Sequence, residues 1–141
     1  MTRLALIGYG NVARALARLL RKQRGRFPFR ITGIHTARHG TVVSVRGVPL
    51  DPVFGPAAAS VDEFLDAAQA DIAVELTTLN PATGEPAISH ILAAFARRMH
   101  VVTANKGPIA HAYADLRDMA ARQGVEFRFE STVMDLSLIH I

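Results

Sequence analysis

The sequence contains no cysteine, no long apolar run, and no acidic residue among its first fifty positions. The absence of cysteine excludes disulfides, thiolate metal sites and a cysteine nucleophile, and it is compatible with the cytoplasmic location that we expect. No apolar stretch approaches the length of a membrane span, so we predict a soluble globular protein without a membrane partner. The 141 residues, half of them apolar, suffice for one domain with a hydrophobic core.

The charges are distributed unevenly along the chain. The first fifty positions hold ten lysines and arginines, whereas the remaining positions hold six basic and twelve acidic residues. Such asymmetry can indicate a nucleic acid or a phosphate-rich ligand. The basic residues between positions 14 and 22 fall mostly opposite Leu16, Leu19 and Leu20 on a helix, which favours an ordinary solvated face. No aromatic residues interleave with them and no recognition-helix motif is present, so we expect no nucleic-acid partner.

Apolar runs alternate with stretches of helical period along the whole chain. Strands are predicted at "RLALIG", "RITGIHT", "DIAVEL", "HVVTA" and "VEFRFE", and helices at residues 11 to about 24, 61–70, about 86–98 and 111–123. Ser60 and Glu63 form a capping-box pattern before the second helix. "TVVSVRGVPL" has strand character, but Pro49 and Pro52 indicate an irregular excursion rather than a central strand. The alternation predicts an α/β fold of the Rossmann type, a doubly wound parallel sheet with helices on both faces.

A glycine-spaced turn follows the first strand and opens the first helix. Gly8, Gly10 and Ala13 fit the pattern G-x-G-x-x-[G/A] of dinucleotide-binding turns. Gly8 permits the tight turn, Gly10 allows the backbone to approach a pyrophosphate, and Ala13 allows close packing of helix on strand. The helix N-terminus at Asn11 and Val12 then offers free N–H groups to phosphates. A purely structural turn between strand and helix is the alternative.

The end of the second strand distinguishes between cofactors. NAD sites usually place a carboxylate there for the ribose 2′-hydroxyl, but the stretch here is "IHTARHGT". Thr36, Arg38 and His39 can instead receive a 2′-phosphate, with Arg38 as the best donor. The sequence therefore favours NADP over NAD, although Arg38 is equally compatible with an ordinary loop residue. The six histidines show no metal-ligand spacing, and we expect them in loops or at the surface.

Three segments together resemble homoserine dehydrogenase: "ELTTLNPATGEPA", "VVTANKGP" and "FESTVMD", each placed after a predicted strand. The resemblance covers residues 2 to about 135, and the last two motifs are much more specific than the glycine turn. It implies an NAD(P)-dependent oxidoreductase that interconverts L-homoserine and aspartate 4-semialdehyde, within threonine and methionine biosynthesis. The resemblance also implies a homo-oligomer when full length.

The resemblance also implies roles for individual residues. Lys106 matches the family's catalytic lysine, and an ammonium there can polarise a carbonyl or relay the alcohol proton. Asn105 is a turn residue or helix cap that holds the same loop. Thr77, Thr78 and Asn80 follow a strand's carboxyl end, where open α/β sheets bind ligands, and by resemblance they lie along the nicotinamide ribose. A lysine at a helix start, or ordinary loop polarity, is the alternative for these positions.

The end of the chain departs from the family pattern. By resemblance, Glu130 and the backbone carbonyl of Val133 help to hold a monovalent cation. Relatives continue with a turn and a substrate domain, whereas this chain continues as "LSLIHI" after about Asp135. We therefore expect a dinucleotide-binding domain over residues 1–135, with residues 136–141 as a foreign tail or truncation, and no activity from this chain alone. Two other functions remain open: another NAD(P)-dependent dehydrogenase of a small amino acid or semialdehyde, and a non-catalytic dinucleotide sensor.

Overall fold

In a computed structural model of the chain, residues 1–78 and 80–129 are described. The strands are β1 (Thr2–Ile7), β2 (Phe29–His35), β3 (Thr41–Val43), β4 (Ile72–Glu75), β5 (His100–Thr103) and β6 (Phe127–Arg128). The helices are α1 (Asn11–Lys22), α2 (Val61–Ala68), α3 (Ala87–Ala96) and α4 (Lys106–Gln123). Glu130 and Val133, proposed for the cation, and the predicted change of sequence after Asp135 lie outside the described residues.

The strands form one sheet in the order β3-β2-β1-β4-β5-β6, which is the strand order of a Rossmann fold. The pairs β1–β2, β1–β4, β4–β5 and β5–β6 are parallel, as predicted. The exception is β3, which pairs antiparallel to β2 and does not continue the parallel sheet. Residues 36–40 are too few for the crossover that a parallel pair requires, so the chain turns back directly.

Helices cover both faces of the sheet, but unequally. On one face, α1 buries Ala13 and Leu20 against Leu4, Leu6 and Ile34. The other face carries α2, α3 and α4, whose buried residues pack against the opposite side chains of β1, β4 and β5. This division follows from right-handed crossovers, because α1 connects strands in one direction along the sheet and the later helices connect them in the other. Among the described residues, no helix combines the length and apolar character needed to cross a bilayer.

The predicted helices match the observed ones to within a few residues, except at the last helix. The hydroxyl of Ser60 accepts a 3.1 Å hydrogen bond from the backbone N–H of Glu63, which gives α2 its predicted N-cap. The last helix was expected from residue 111, but α4 begins at Lys106 and contains a break at Ala112 (φ −148°). Pro108 is compatible with this early start, because a proline in the first turn of a helix needs no N–H partner. Gly124, with φ +69°, ends α4 where predicted.

Candidate functional site

Four parallel strands end along one edge of the sheet, at Ile7, His35, Glu75 and Thr103. Although β1 and β4 are neighbours, the chain continues from β1 toward β2 and from β4 toward β5, in opposite directions. The crevice at such a reversal is where open α/β sheets bind ligands. The cofactor-binding residues that the sequence predicts lie in the loops after these four strands and in the first turns of α1 and α4.

Gly8 occupies a position that only glycine can fill. Its φ is +103°, and an added Cβ would stand 2.8 Å from the carbonyl oxygen of Leu76. Its backbone N–H donates a 2.8 Å hydrogen bond to the carbonyl of His35. The turn after β1 is therefore held between the ends of β2 and β4, directly at the reversal of the sheet.

Gly10 lies in a different environment. It is the N-cap of α1, and an added Cβ would meet no heavy atom of the described residues within 4 Å. No described side chain caps α1, and Asn11 and Val12 at its first turn are exposed. Ala13 is completely buried against the sheet, which brings the helix close to β1. An uncapped helix N-terminus that faces open space fits a pyrophosphate, because its N–H groups and dipole favour an anion.

The loop after β2 exposes Arg38 and His39, two of the three residues proposed for a 2′-phosphate. Thr36 is buried, and its hydroxyl donates to the carbonyl of Gly40 (2.8 Å) and accepts from the N–H of His39 (2.8 Å). This side chain therefore closes the loop. Arg38 is exposed at the turn. Within residues 1–78 and 80–129 no ion pair of Arg38 is described, so its guanidinium can contact a ligand without giving one up.

The loop after β4 presents Thr78 and Asn80 at its surface, whereas Thr77 is directed inward. The hydroxyl of Thr77 donates a 2.6 Å hydrogen bond to the Glu75 carboxylate, and the Thr77 N–H donates to the same oxygen at 2.9 Å. The side-chain oxygen of Asn80 accepts from the N–H of Ala82, which forms a local turn. The polar side chain of Thr77 thus orders the loop from within.

The loop after β5 joins Lys106 to the loop after β4. Asn105 is buried, and its side-chain oxygen caps α4 by accepting from the N–H of Gly107 at 3.0 Å. Its amide nitrogen donates a 3.2 Å hydrogen bond to the carbonyl of Thr77. Lys106 follows as the exposed first residue of α4. The structure therefore brings Thr77 and Asn105 together and places Lys106 beside them.

A close contact between two glycines tightens the same region. An added Cβ at Gly107 would stand 2.9 Å from the Cα of Gly84 and 3.3 Å from the carbonyl oxygen of Asn80. The segment that follows Asn80 therefore packs directly on the first turn of α4. This contact explains why glycine is required at position 107 of the Asn-Lys-Gly motif, and the explanation does not depend on a ligand.

The sequence interpretation missed a buried acid–histidine pair. Glu75, with 1% of its side chain exposed, contacts Nδ1 of His90 in α3 at 3.1 Å. His35 also lies inward, stacked on Phe64 with ring centroids 5.1 Å apart. Burial holds the pKa of His35 below its usual value, and the neighbouring His90 lowers that pKa further. The expectation that all histidines lie in loops or at the surface is wrong for His35, His90 and His100, which lie half-buried on β2, α3 and β5.

The residues that the structure describes contain no cluster of three histidine, aspartate or glutamate side chains able to hold a metal ion. The charged groups at the crevice include the N-terminus of α1, Arg38 and Lys106, together with the buried Glu75. This arrangement fits a phosphate-containing organic cofactor.

Comparison with known proteins agrees with this architecture. Residues 8–130 match the family described as "Homoserine dehydrogenase, NAD binding domain". A homoserine dehydrogenase of Methanocaldococcus jannaschii is 32% identical over 91% of this chain and 44% of its own length. An NAD(+)-dependent homoserine dehydrogenase of Pseudomonas canavaninivorans is 37% identical over 94% of this chain and 43% of its own length. The chain thus spans less than half the length of these relatives.

A solved structure confirms the fold. A hyperthermophilic archaeal homoserine dehydrogenase, solved in complex with NADPH, superposes with a TM-score of 0.77 at 23% identity, over 93% of this chain and 44% of its own. The Rossmann-type fold and the resemblance inferred from the three sequence segments are both confirmed. The chain belongs to the homoserine dehydrogenase family, and the part of that family that it contains is the NAD-binding domain.

Proposed function

We propose that this chain is the cofactor-binding part of an NAD(P)-dependent homoserine dehydrogenase, which interconverts L-homoserine and aspartate 4-semialdehyde. The observation that carries this proposal is the hydrogen bond between Asn105 and Thr77. It joins the Asn-Lys motif to the loop after β4, at the reversal of the sheet where a dinucleotide would lie. A non-catalytic sensor would need the glycine turn but would have no use for Lys106 at this place.

The chain offers a separate group of residues for each part of a dinucleotide. Gly10 and the N–H groups of Asn11 and Val12 receive the pyrophosphate, since a Cβ added at Gly10 would meet no heavy atom of the described residues within 4 Å and no described side chain caps α1. Thr78 and Asn80, which are exposed in the loop after β4, are the residues that we assign to the nicotinamide side. When bound, the nicotinamide supplies the hydride chemistry of the reaction.

Lys106 is the residue to which we assign proton and charge chemistry. Its ammonium polarises the substrate carbonyl or holds the alcohol proton, as a general acid–base group does. The first position of a helix is unfavourable for a cation because the dipole is positive there, so helix stability does not account for a lysine at this position.

Arg38 carries our proposal for a preference toward NADP. The end of β2 has no carboxylate for a 2′-hydroxyl, and the exposed guanidinium of Arg38 suits a phosphate. Of the relatives named above, one is called NAD(+)-dependent and another was solved in complex with NADPH. We assign the choice of cofactor in this chain to the loop after β2, on the exposed guanidinium of Arg38.

The remaining assignments concern the whole protein. We propose a cytoplasmic, homo-oligomeric enzyme of threonine and methionine biosynthesis, whose residues Glu130 and Val133 help to hold a monovalent cation through backbone carbonyls. Groups that grip the carboxylate and ammonium of homoserine are not recognisable in residues 1–78 and 80–129, and we assign them to the part of the relatives that this chain does not cover.

Calorimetry and turnover together test this function. The 141-residue chain should bind NADPH and NADH but oxidise no homoserine, because positioning the substrate carbon supplies much of the rate. Residues 1–135 joined to the substrate-binding part of a homoserine dehydrogenase should oxidise homoserine in preference to other small hydroxy amino acids. Lys106→Ala in that protein should lower kcat by about a hundredfold or more while NADPH affinity changes little. Absence of dinucleotide binding, or unchanged kcat in Lys106→Ala, would contradict the proposal.

A further inference from the structure

Glu75 is a carboxylate in the centre of the sheet, where the fold itself has no need of one. It ends β4 between β1 and β5, pairs with Ile7 and Thr103, and is 1% exposed. Burying a carboxylate is costly unless its oxygens are satisfied, and a buried ion pair is often replaceable by apolar residues without loss of stability. The stability of the sheet therefore does not explain why this position carries an acid.

Each oxygen of the Glu75 carboxylate has its own polar partner, and the two partners belong to different elements of the fold. Oε1 accepts from the N–H of Thr77 at 2.9 Å and from its hydroxyl at 2.6 Å. Oε2 contacts Nδ1 of His90 at 3.1 Å. The carboxylate thus connects α3 to the first turn of the loop after β4, and one side chain sets both the backbone and the side chain of Thr77.

The connection continues from Thr77 to the start of α4. The carbonyl of Thr77 accepts from the amide of Asn105, which caps the helix that begins with Lys106. His90, Glu75, Thr77 and Asn105 therefore form one unbroken series of hydrogen bonds, from α3 across the sheet edge to the motif that carries the lysine.

We propose that Glu75 and His90 are positioning residues for the nicotinamide half of the cofactor site, acting through Thr77 and Asn105. They touch neither cofactor nor substrate. Their role is to hold the loop after β4 and the Asn-Lys motif in the relative position seen here, while the glycine turn and Arg38 serve the other half of the dinucleotide. This inference rests on the proposed function, because it needs a dinucleotide in the crevice.

Two series of variants test the proposal in the 141-residue chain. Glu75→Leu removes both acceptors, whereas Glu75→Gln keeps an oxygen for Thr77. His90→Ala removes the partner of Glu75, whereas His90→Asn keeps a nitrogen near the position of Nδ1. Affinity is measured for NADPH and for 2′,5′-ADP, which contains the adenine half and the 2′-phosphate but lacks nicotinamide. The fluorescence of bound NADPH reports the surroundings of the nicotinamide independently.

We expect Glu75→Leu and His90→Ala to weaken NADPH binding about tenfold or more, with 2′,5′-ADP affinity unchanged within about twofold. Bound NADPH should lose its fluorescence change in the same two variants. Glu75→Gln and His90→Asn should restore most of the NADPH affinity. Thr32→Val is the matched control, because it removes a buried hydroxyl from β2 that donates to the carbonyl of Ala68, on the helix side of the sheet.

The outcomes separate this inference from the function on which it rests. If wild-type protein binds neither NADPH nor 2′,5′-ADP, the proposed function fails and the inference fails with it. If wild-type protein binds NADPH, and the ratio of NADPH affinity to 2′,5′-ADP affinity is the same in all four variants as in wild-type protein, the inference alone is overturned. An equal loss of both ligands would assign Glu75 and His90 to stability only, which also overturns it. If Glu75→Leu does not fold, the two variants His90→Ala and His90→Asn still test the inference.

Discussion

The amide nitrogen of Asn105 lies 3.2 Å from the carbonyl oxygen of Thr77, 28 positions earlier in the chain. This contact fixes the loop after β4 to the N-terminus of α4, and the same side chain caps the helix through the N–H of Gly107. One residue thus performs two tasks, and substitutions can separate them. Asn105→Asp keeps an oxygen for the cap but has no amide hydrogen for Thr77.

Asn105→Ala should lose both functions of the side chain. We expect the free energy of unfolding to fall by about 1 kcal/mol, the usual value of an N-cap, and NADPH affinity to fall as well. Asn105→Asp should keep the cap but set a buried carboxylate oxygen against the Thr77 carbonyl, so it should also lose stability and bind NADPH less tightly. Ser60→Ala removes the N-cap of α2, an exposed hydroxyl whose hydrogen bond to Glu63 is local, and should lower stability similarly without affecting binding. Urea unfolding and calorimetry measure the two quantities, and unchanged NADPH affinity in Asn105→Asp would show that the contact with Thr77 is not needed.

The two glycines of the turn should respond differently to substitution. Gly10→Val places a side chain where no described atom stands within 4 Å, so it should block the pyrophosphate with little loss of stability. Gly8→Ala places a Cβ 2.8 Å from the Leu76 carbonyl at φ +103°, and should destabilise the fold itself. Thermal unfolding with and without NADPH distinguishes the two effects. Unchanged NADPH affinity in Gly10→Val would remove the turn from the binding site.

Arg38 should read the 2′-phosphate. Arg38→Ala is expected to weaken NADPH binding by about 1.5–3 kcal/mol, the range of a hydrogen bond to a charged group, and to leave NADH binding nearly unchanged. Arg26→Ala, another exposed arginine of the basic first fifty residues, is the control for general electrostatic attraction. Equal losses for both dinucleotides in Arg38→Ala would mean that this arginine supports its loop and does not select the cofactor.

His35 should make the stability of the chain depend on pH. Its pKa is lowered in the folded state by burial and by His90, so the unfolded chain binds a proton more readily than the folded chain does. Its contribution is therefore complete above the ordinary value of 6.5 and is lost as the pH falls through that value toward the lower folded pKa. Between about pH 7.5 and about pH 5.5, His35→Gln should lose less stability than wild-type protein in urea unfolding.

The exposed His39 provides the control for this measurement. His39→Gln should keep the wild-type dependence on pH, since the pKa of His35 is lowered by its own burial and by His90. If His35→Gln and wild-type protein lose the same stability on acidification, the buried position of His35 has no energetic consequence in this range.

Much of the fold could be predicted from local patterns. Apolar period and capping residues located the strands and helices to within a few positions, and Gly124 ended α4 as expected. The exceptions have local causes of another kind: β3 turns back because residues 36–40 are too few for a crossover, and α4 starts early because Asn105 caps it. At these two places, the length of a connecting loop and one capping hydrogen bond decided the structure, and the apolar period of the sequence did not.

The sequence by itself determined the glycine turn, the Asn-Lys motif and the family, since each depends on residues that are close together in the chain. Only the tertiary structure decided which of these residues meet. Glu75 contacts His90, which lies fifteen positions later in the chain. The hydroxyl of Thr77 donates to the Glu75 carboxylate, and the carbonyl of Thr77 accepts from the amide of Asn105. These contacts exist because β4 and β5 lie side by side and α3 packs on them. The strand order and the crossover direction therefore bring side chains that are distant in sequence to the same edge of the sheet. No local period encodes that proximity, because it arises from packing among elements and not within any one of them.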